Sequence, residues 1–583
     1  MKKVIKTGLS VLLPVVFLIL LERKAGIYFE TNDDRIITEI LCGVMGNRPD
    51  CHAVYVNSML GGILSFLYRI FGEIPWYGGL LILLHAISDF VIFRGIYEKC
   101  ESWAEMVCAS AVCAMILLVQ IYITGQIQYT STATLLASAG YVCLISDLHS
   151  KRKLIGFVLL ELIAILLRQN AMFVVQPIGG AVFAGCLLAE NGWNLKAVFR
   201  KMGIWLAALA GIVLIHFVGN VLTYQGEGWD DYRRRNMART TLFDYEGVPE
   251  YEEVKEILDR RGVTETEYRA LTDYTLAKMD PEWVEEIADY ARHSGDEKTL
   301  KSALRKTWEY TVQEREWGLT RAVLLLAAAA LIWIIICGNF WYLCSLLGLG
   351  AAHFLVFGFL FLRGRTPARV MMPVLVSETV LLLVLMGIAA CGKSTAGIAS
   401  AAENAVDRKQ HSMWGKLYKT IVRRGLQVGI LLFCLRSAFL TGQKQYRFIV
   451  PENQSQQIYM EGAFEILDYC NSQPENRFLL EPSVLMYTRG RALETRLYLP
   501  RNGMLSHCWY AGSPVFEEKR ETYFGNDMAR LRVLIRAQEK GNPLENPLLG
   551  YLSKKYDCLP VLTDSFEVSF GGIYEVYSFP DTD

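Results

Sequence analysis

Along much of this chain the apolar residues are gathered into runs of about twenty, the length at which an α-helix crosses the hydrocarbon of a bilayer. Backbone in lipid has to satisfy its hydrogen bonds internally, so these runs are expected to be helices of a polytopic α-helical membrane protein. They are read at residues 4–21, 76–97, 104–124, 129–147, 153–168, 171–189, 203–222, 319–338, 340–362, 369–391 and 426–442, about eleven spans. Residues 53–72 are also apolar, but Asn57, Gly61, Gly62 and Arg69 weaken them as a span, and a re-entrant or interfacial helix is expected there. The first run follows Lys2, Lys3 and Lys6 and leads into Glu22, Arg23 and Lys24 without a small-residue cleavage site, so it reads as an uncleaved anchor.

The placement of basic residues orients the spans. With the N-terminus inside, inner connections carry Arg94 and Lys99, then Lys151, Arg152 and Lys153, then Lys196, Arg200 and Lys201. The longest, 392–425, holds Lys393, Arg408, Lys409, Lys416, Lys419, Arg423 and Arg424. The short outer connections are poorer in Lys and Arg, as the positive-inside rule expects, whereas counting 53–72 as a span would invert everything after it. A multi-pass cell-membrane protein follows, its N-terminus cytoplasmic and its C-terminus outside. Residues 1–442 form the transmembrane domain, which includes a first outer loop (22–75) and an outer helical loop (223–318). Helical periodicity recurs in that second loop at 283–292 and 300–310. Residues 443–583 form an outward-facing α/β domain, with strands at 477–480 and 566–579 and a helix at 458–469.

Composition removes some functions. The 59 basic and 59 acidic residues leave no nucleic-acid footprint. The 14 cysteines lack CxxC or Cys/His ligand spacing, which leaves a zinc site unsupported. Cys42 and Cys51 both fall in the first outer loop, where either a disulfide or two thiols is open. Residues 387–394 read GIAACGKS and satisfy the phosphate-loop pattern, but they follow a membrane helix rather than a strand and are rejected on context.

Thr31-Asn32-Asp33-Asp34 lies about ten residues beyond the first span. Two adjacent carboxylates there can serve as a general base or hold a divalent cation; equally, they can cap a helix that starts near Arg35. Arg363, Arg365 and Arg369 share an outer connection and suit a phosphate or diphosphate head group, or else they snorkel at helix ends. Arg168 breaks two apolar runs, with Glu161 two turns earlier. Asp89, Glu161 and Glu378 sit within spans, as proton-coupled transporters require, although buried polar pairs between helices are the simpler account. The outer loop 229–251 is dense in charge and aromatics, with Asn236, Arg239 and Asp244 as candidates for recognising an acceptor.

With its TNDD motif in the first outer loop, its many spans and its C-terminal outer domain, the chain resembles the GT-C superfamily of membrane glycosyltransferases. It is most similar to bacterial polysaccharide-cluster membrane proteins that carry TNDD, a VNSMLGGILSFLYRIFGEIPWYG-like segment and a loop like NMARTTLFDYEGVPEY (here 236–251). The resemblance covers about the first 390 residues and contains no diagnostic transferase signature. It implies an inverting transfer of sugar from a polyprenyl phosphate donor to a cell-surface polysaccharide or lipid acceptor on the outer face. Asp33 or Asp34 would be the base, and Arg168, Arg363, Arg365 and Arg369 would hold the lipid phosphate. No cofactor is required, and a divalent cation at Asp33 and Asp34 is permitted. A transporter or flippase of lipid-linked saccharides and a non-catalytic envelope assembly protein remain as alternatives.

Overall fold

The computed structural model describes residues 2–192, 194–226, 228–272, 281–294, 299–313, 318–338, 340–391, 413–524, 528–537 and 542–580. The basic residues Lys393, Arg408 and Lys409 and the end of the GIAACGKS pattern lie outside this set.

The chain begins with α1 (Lys2–Lys24), β1 (Tyr28–Phe29), α2 (Asn32–Cys42), α3 (Ser58–Ile70), α4 (Trp76–Glu98), α5 (Trp103–Val119), α6 (Ile121–Gly125) and β2 (Gln126–Ile127). Then come α7 (Tyr129–Ser146), α8 (Lys151–Leu167), α9 (Gln169–Asn191) and α10 (Leu195–Thr223). Helices α11 (Trp229–Thr240), α12 (Tyr251–Arg261), α13 (Glu265–Thr272), α14 (Pro281–Ser294) and α15 (Leu300–Gln313) precede α16 (Leu319–Cys337), α17 (Tyr342–Arg363) and α18 (Ala368–Cys391). The last part holds α19 (Met413–Asn471), β3 (Arg477–Leu480), β4 (Gly503–Leu505), α20 (Pro514–Phe524), β5 (Leu531–Arg536), α21 (Pro547–Tyr556), β6 (Val561–Glu567) and β7 (Ile573–Ser578).

Among the described residues, eight helices are long and apolar enough to cross a membrane: α1, α4, α9, α10, α16, α17, α18 and the stretch of α19 from Arg424 onward. The remaining anticipated spans are also helices, α5, α7 and α8, of 17, 18 and 17 residues. Helix α3, in the apolar stretch 53–72, has 13 residues, about 20 Å, too short to cross. Its outward row Met59, Ile63, Phe66 and Ile70 is exposed.

Helix α7 is buried almost throughout and packs against α4, α8, α9 and α18. Its small residues allow this, because Ala, Ser, Thr and Gly let helix backbones approach closely. The same device joins α9 to α17, where a Cβ on Gly185 would lie 1.9 Å from Ser345 Oγ. The intramembrane acids are tied between helices: Gln120 donates to Asp89 (2.9 Å), Gln176 to Glu161 (3.0 Å), and His353 Nδ1 lies 2.9 Å from Glu378. His85 Nε2 lies 3.1 Å from Thr132 Oγ1.

Helix α19 is unbroken over 59 residues, so the final span, residue 443 and the expected helix 458–469 belong to one rod. The sheet that follows has the order β4-β3-β5-β7-β6, parallel across β4-β3-β5 and antiparallel across β5-β7-β6. The single strand expected at 566–579 is instead parts of β6 and β7, because Gly571 and Gly572, at φ +82° and +115°, turn the chain between them. This C-terminal part docks on the first loop: Phe29 N–H donates to Gly490 carbonyl (2.9 Å) and Ala492 N–H to Ile27 carbonyl (3.0 Å). Helices α11, α12, α13 and α14 close their own small core around Leu242, Val254, Leu258 and Ile287.

Candidate functional site

Three joints in the fold bring distant residues to one end of the bundle. Strand β1 pairs in parallel with β2, Tyr28 opposite Gln126 and Phe29 opposite Ile127, which brings Glu30 and the start of α2 to the head of α7. Asn57 N–H donates to Leu166 carbonyl (2.8 Å), fixing the first loop against the end of α8. Arg365 pairs with Asp244 at 2.9 Å and lies 5.2 Å over the Tyr245 ring, joining the α17–α18 connection to the residues after α11.

The acidic pair divides its labour. Thr31 is the N-cap residue of α2 and makes no side-chain cap, and Asp33 and Asp34 fall in the first turn. Asp34 is fully buried; its Oδ1 accepts from Tyr77 Oη (2.8 Å) and from the Tyr129 backbone N–H (3.2 Å), the first residue of α7. It therefore braces α4 and α7 rather than capping its own helix. Asp33 is half-buried and accepts no hydrogen bond from any described residue. Burial pushes its carboxyl above the usual aspartate range, the guanidiniums of Arg369, Arg168 and Arg239 pull it back, and Asp244 pushes it up again.

Two of these arginines have guanidiniums that donate to no described residue. Arg168 bridges α8 and α9 in extended conformation, φ −158°, its guanidinium 5.0 Å over the Tyr55 ring and 5.2 Å over the Tyr129 ring. Those rings are parallel within 5° at 6.2 Å, so the cation is held by faces that leave its N–H groups available. Arg369 sits in the first turn of α18. Arg239 is positioned by Asn236 Oδ1 (2.9 Å) and reaches Tyr55 Oη (3.2 Å). Of the arginines read from sequence, Arg168 and Arg369 thus face Asp33 together. Arg365 is paired with Asp244 instead, and Arg363 is exposed and lies 5.7 Å over Phe359.

Sequence reasoning missed Glu30, Tyr55, Tyr129 and Arg489. Glu30 accepts from Tyr122 Oη (2.9 Å); burial raises its carboxyl to about 7, against the opposing pull of Arg369, the Tyr122 bond and Arg489. Arg489 donates to Glu30 carbonyl (2.9 Å) and Gln126 Oε1 (3.0 Å) and pairs with Glu452. Glu30 carried a weak signal, three residues before Asp33; Arg489 carried none, because only the docking of the C-terminal part brings it here.

The metal question turns on chemistry. Among the described residues the group of three with ligand atoms mutually within 4.8 Å is Asp50, Cys51 and His52. His52 Nδ1 lies 2.7 Å from Asp50 and Nε2 3.2 Å from the Thr223 carbonyl. Burial disfavours the charged ring, yet Asp50 and Cys51 more than offset it and raise the imidazole to about 10. Cys42 and Cys51 are free thiols.

An apolar cavity lies between α5, α16, α18 and α19, lined by Met115, Val119, Leu326, Thr379, Leu383 and Phe433. Thr379 is ten residues along α18 from Arg369, about 15 Å.

No family model and no curated protein matches the chain. Among solved structures, ArnT from Cupriavidus metallidurans bound to undecaprenyl phosphate aligns over 98% of this chain and 97% of that one, with 12% identity and a TM-score of 0.46. A likeness of that degree assigns neither fold family nor function.

Proposed function

We propose that the chain is a membrane glycosyltransferase that takes sugar from a polyprenyl phosphate donor and passes it to a hydroxyl of a glycan or lipid acceptor at the outer face. The observation that carries this reading is Asp33: a half-buried carboxylate without a hydrogen-bond partner among the described residues, in the field of three guanidiniums. A site with this composition can both remove a proton and hold a phosphate.

In the proposed reaction Asp33 accepts the acceptor's hydroxyl proton. The oxygen attacks the anomeric carbon, and the carbon–oxygen bond to the phosphate breaks on the opposite face, with inversion. The electron pair leaves with the lipid phosphate, whose charge grows in the transition state. Arg369 and Arg168 bind that charge, since their N–H groups have no other acceptor among the described residues. Arg239, held by Asn236 and Tyr55, faces the acceptor side, while Arg365 and Asp244 form a neutral pair at the rim. A divalent cation is not required for this chemistry.

The test is transfer of labelled sugar from polyprenyl phosphate donors in membranes, comparing wild type, Asp33→Asn and Asp34→Asn. Loss of about 10²-fold or more in Asp33→Asn, at normal expression, supports the assignment. Retained transfer in that variant refutes Asp33 as base.

A further inference from the structure

Helix α15 belongs by sequence to the outer loop 223–318, yet it packs along the half of α17 that leads to Arg363. Tyr310 meets Phe357 and Phe361, with ring centroids 5.5 and 5.9 Å apart, and Trp308 stacks on Phe354 at 6.5 Å. A Cβ on Gly358 would stand 3.6 Å from Leu304 and 3.9 Å from Thr307. Thr311 Oγ lies 2.9 Å from His353 Nε2, and the other ring nitrogen of His353 faces Glu378. His353 is ten residues from Arg363 and eleven from Tyr342, halfway along a membrane-spanning helix of 22 residues. The end of α15 therefore reaches about 15 Å below the end of that span.

The surface of α15 has three environments. Ala303, Thr307 and Thr311 form the buried row against α17. Leu300, Leu304, Trp308 and Val312, spaced by four, are 65%, 42%, 60% and 55% exposed. Lys301, Arg305 and Glu309 form the next exposed row, with Arg305 and Glu309 paired at 3.6 Å. Leu355 and Phe359 of α17, which belong to a membrane span, are exposed as well. Four large apolar side chains in one row, alongside the half of that span that leads to Arg363, fit hydrocarbon and not water.

We infer that α15 is a membrane-inserted helix: it dips into the bilayer beside α17, with Leu300, Leu304, Trp308 and Val312 against lipid acyl chains and the Lys301–Glu309 row toward water. The buried Thr311–His353–Glu378 chain is its polar anchor, the kind of tie that helices within lipid use. This inference does not depend on the transferase reading.

The test is photo-crosslinking of the full-length protein in phosphatidylethanolamine/phosphatidylglycerol vesicles with radiolabelled acyl chains. A benzophenone amino acid replaces, one at a time, Leu304, Trp308, Val312, Glu309, the lipid-facing reference Phe359 and the water-facing reference Lys255. Only protein that elutes like wild type is irradiated. Lipid adducts at Leu304, Trp308 and Val312 should match Phe359 and exceed Lys255 by about tenfold, with Glu309 well below Trp308. Yields at the three apolar positions no higher than at Lys255, while Phe359 labels, overturn the inference. So does crosslinking of those positions to a second protein chain, and lipid labelling at Glu309 equal to that at Trp308 overturns the three-sided placement.

Discussion

Replacing Asp34 separates bracing from chemistry. Its Oδ1 serves two buried donors, the Tyr77 hydroxyl at 2.8 Å and the Tyr129 N–H at 3.2 Å. Asp34→Ala leaves both without an acceptor, at about 1–3 kcal/mol each. Part of that is returned, because Oδ2 of the buried carboxylate has no partner and its burial is costly. The expected net destabilisation is about 2–4 kcal/mol. Asp34→Asn keeps an oxygen where Oδ1 stands, so its cost stays within about 1 kcal/mol. Thermal midpoints of detergent-purified protein should then rank wild type and Asn together, with Ala clearly below. Sugar transfer per folded molecule should persist in Asp34→Asn and fall in Asp33→Asn. An Asn variant as unstable as Ala would refute the hydrogen-bond account; one that is stable yet inactive would make Asp34, not Asp33, the reactive carboxylate.

Glu30 titrates near 7 in the folded chain against 4.5 for an ordinary glutamate, so its proton favours the folded state. That contribution is complete below about 4.5 and lost as pH rises through about 7, worth about 1–2 kcal/mol after discounting for partial exposure, and Glu30→Gln should flatten the midpoint–pH curve in that window. Asp244→Ala removes a carboxylate that raises Asp33, so the acid limb of the pH–rate profile should move to lower pH, whereas Arg369→Gln should move it to higher pH. Arg168→Lys keeps the charge but loses the guanidinium's contact with the Tyr55 and Tyr129 rings; a cost of about 1–2 kcal/mol should lower transfer about 5- to 30-fold, read as kcat/KM for the donor.

The membrane helices were legible because lipid imposes length and apolarity on a span, and each anticipated run falls on a helix. The candidate residues had different signals: Arg168 as charge between two apolar runs, Arg369 as one of three arginines in a short connection, Asp33 as half of an acidic pair, and Arg239 as part of a charge-dense loop. Their division of roles was not legible. Nothing in the run Asn32-Asp33-Asp34 distinguishes the carboxylate that seals onto Tyr77 and Tyr129 from the one left open, because those partners lie 43 and 95 residues away. Arg489 was invisible for the same reason, being brought to Glu30 by a backbone joint between residues 27–29 and 490–492. Helix α15 was read as periodic, but periodicity does not say whether the apolar row meets protein, lipid or water.

The arginines at this end of the bundle also explain themselves through charge. A guanidinium packed among helix ends needs compensation for its lost hydration. Arg365 has Asp244, and Arg489 has Glu452. Asp33 lies in the field of Arg369, Arg168 and Arg239, and Glu30 in that of Arg369 and Arg489. On the proposed reaction this sharing has a kinetic use. While Asp33 is ionised it competes with the phosphate for the same guanidiniums. As it takes the acceptor proton that competition ends, and the field of Arg369 and Arg168 falls on the oxygen where negative charge is growing. Proton transfer and departure of the phosphate are then coupled through shared cations, without direct contact between base and leaving group.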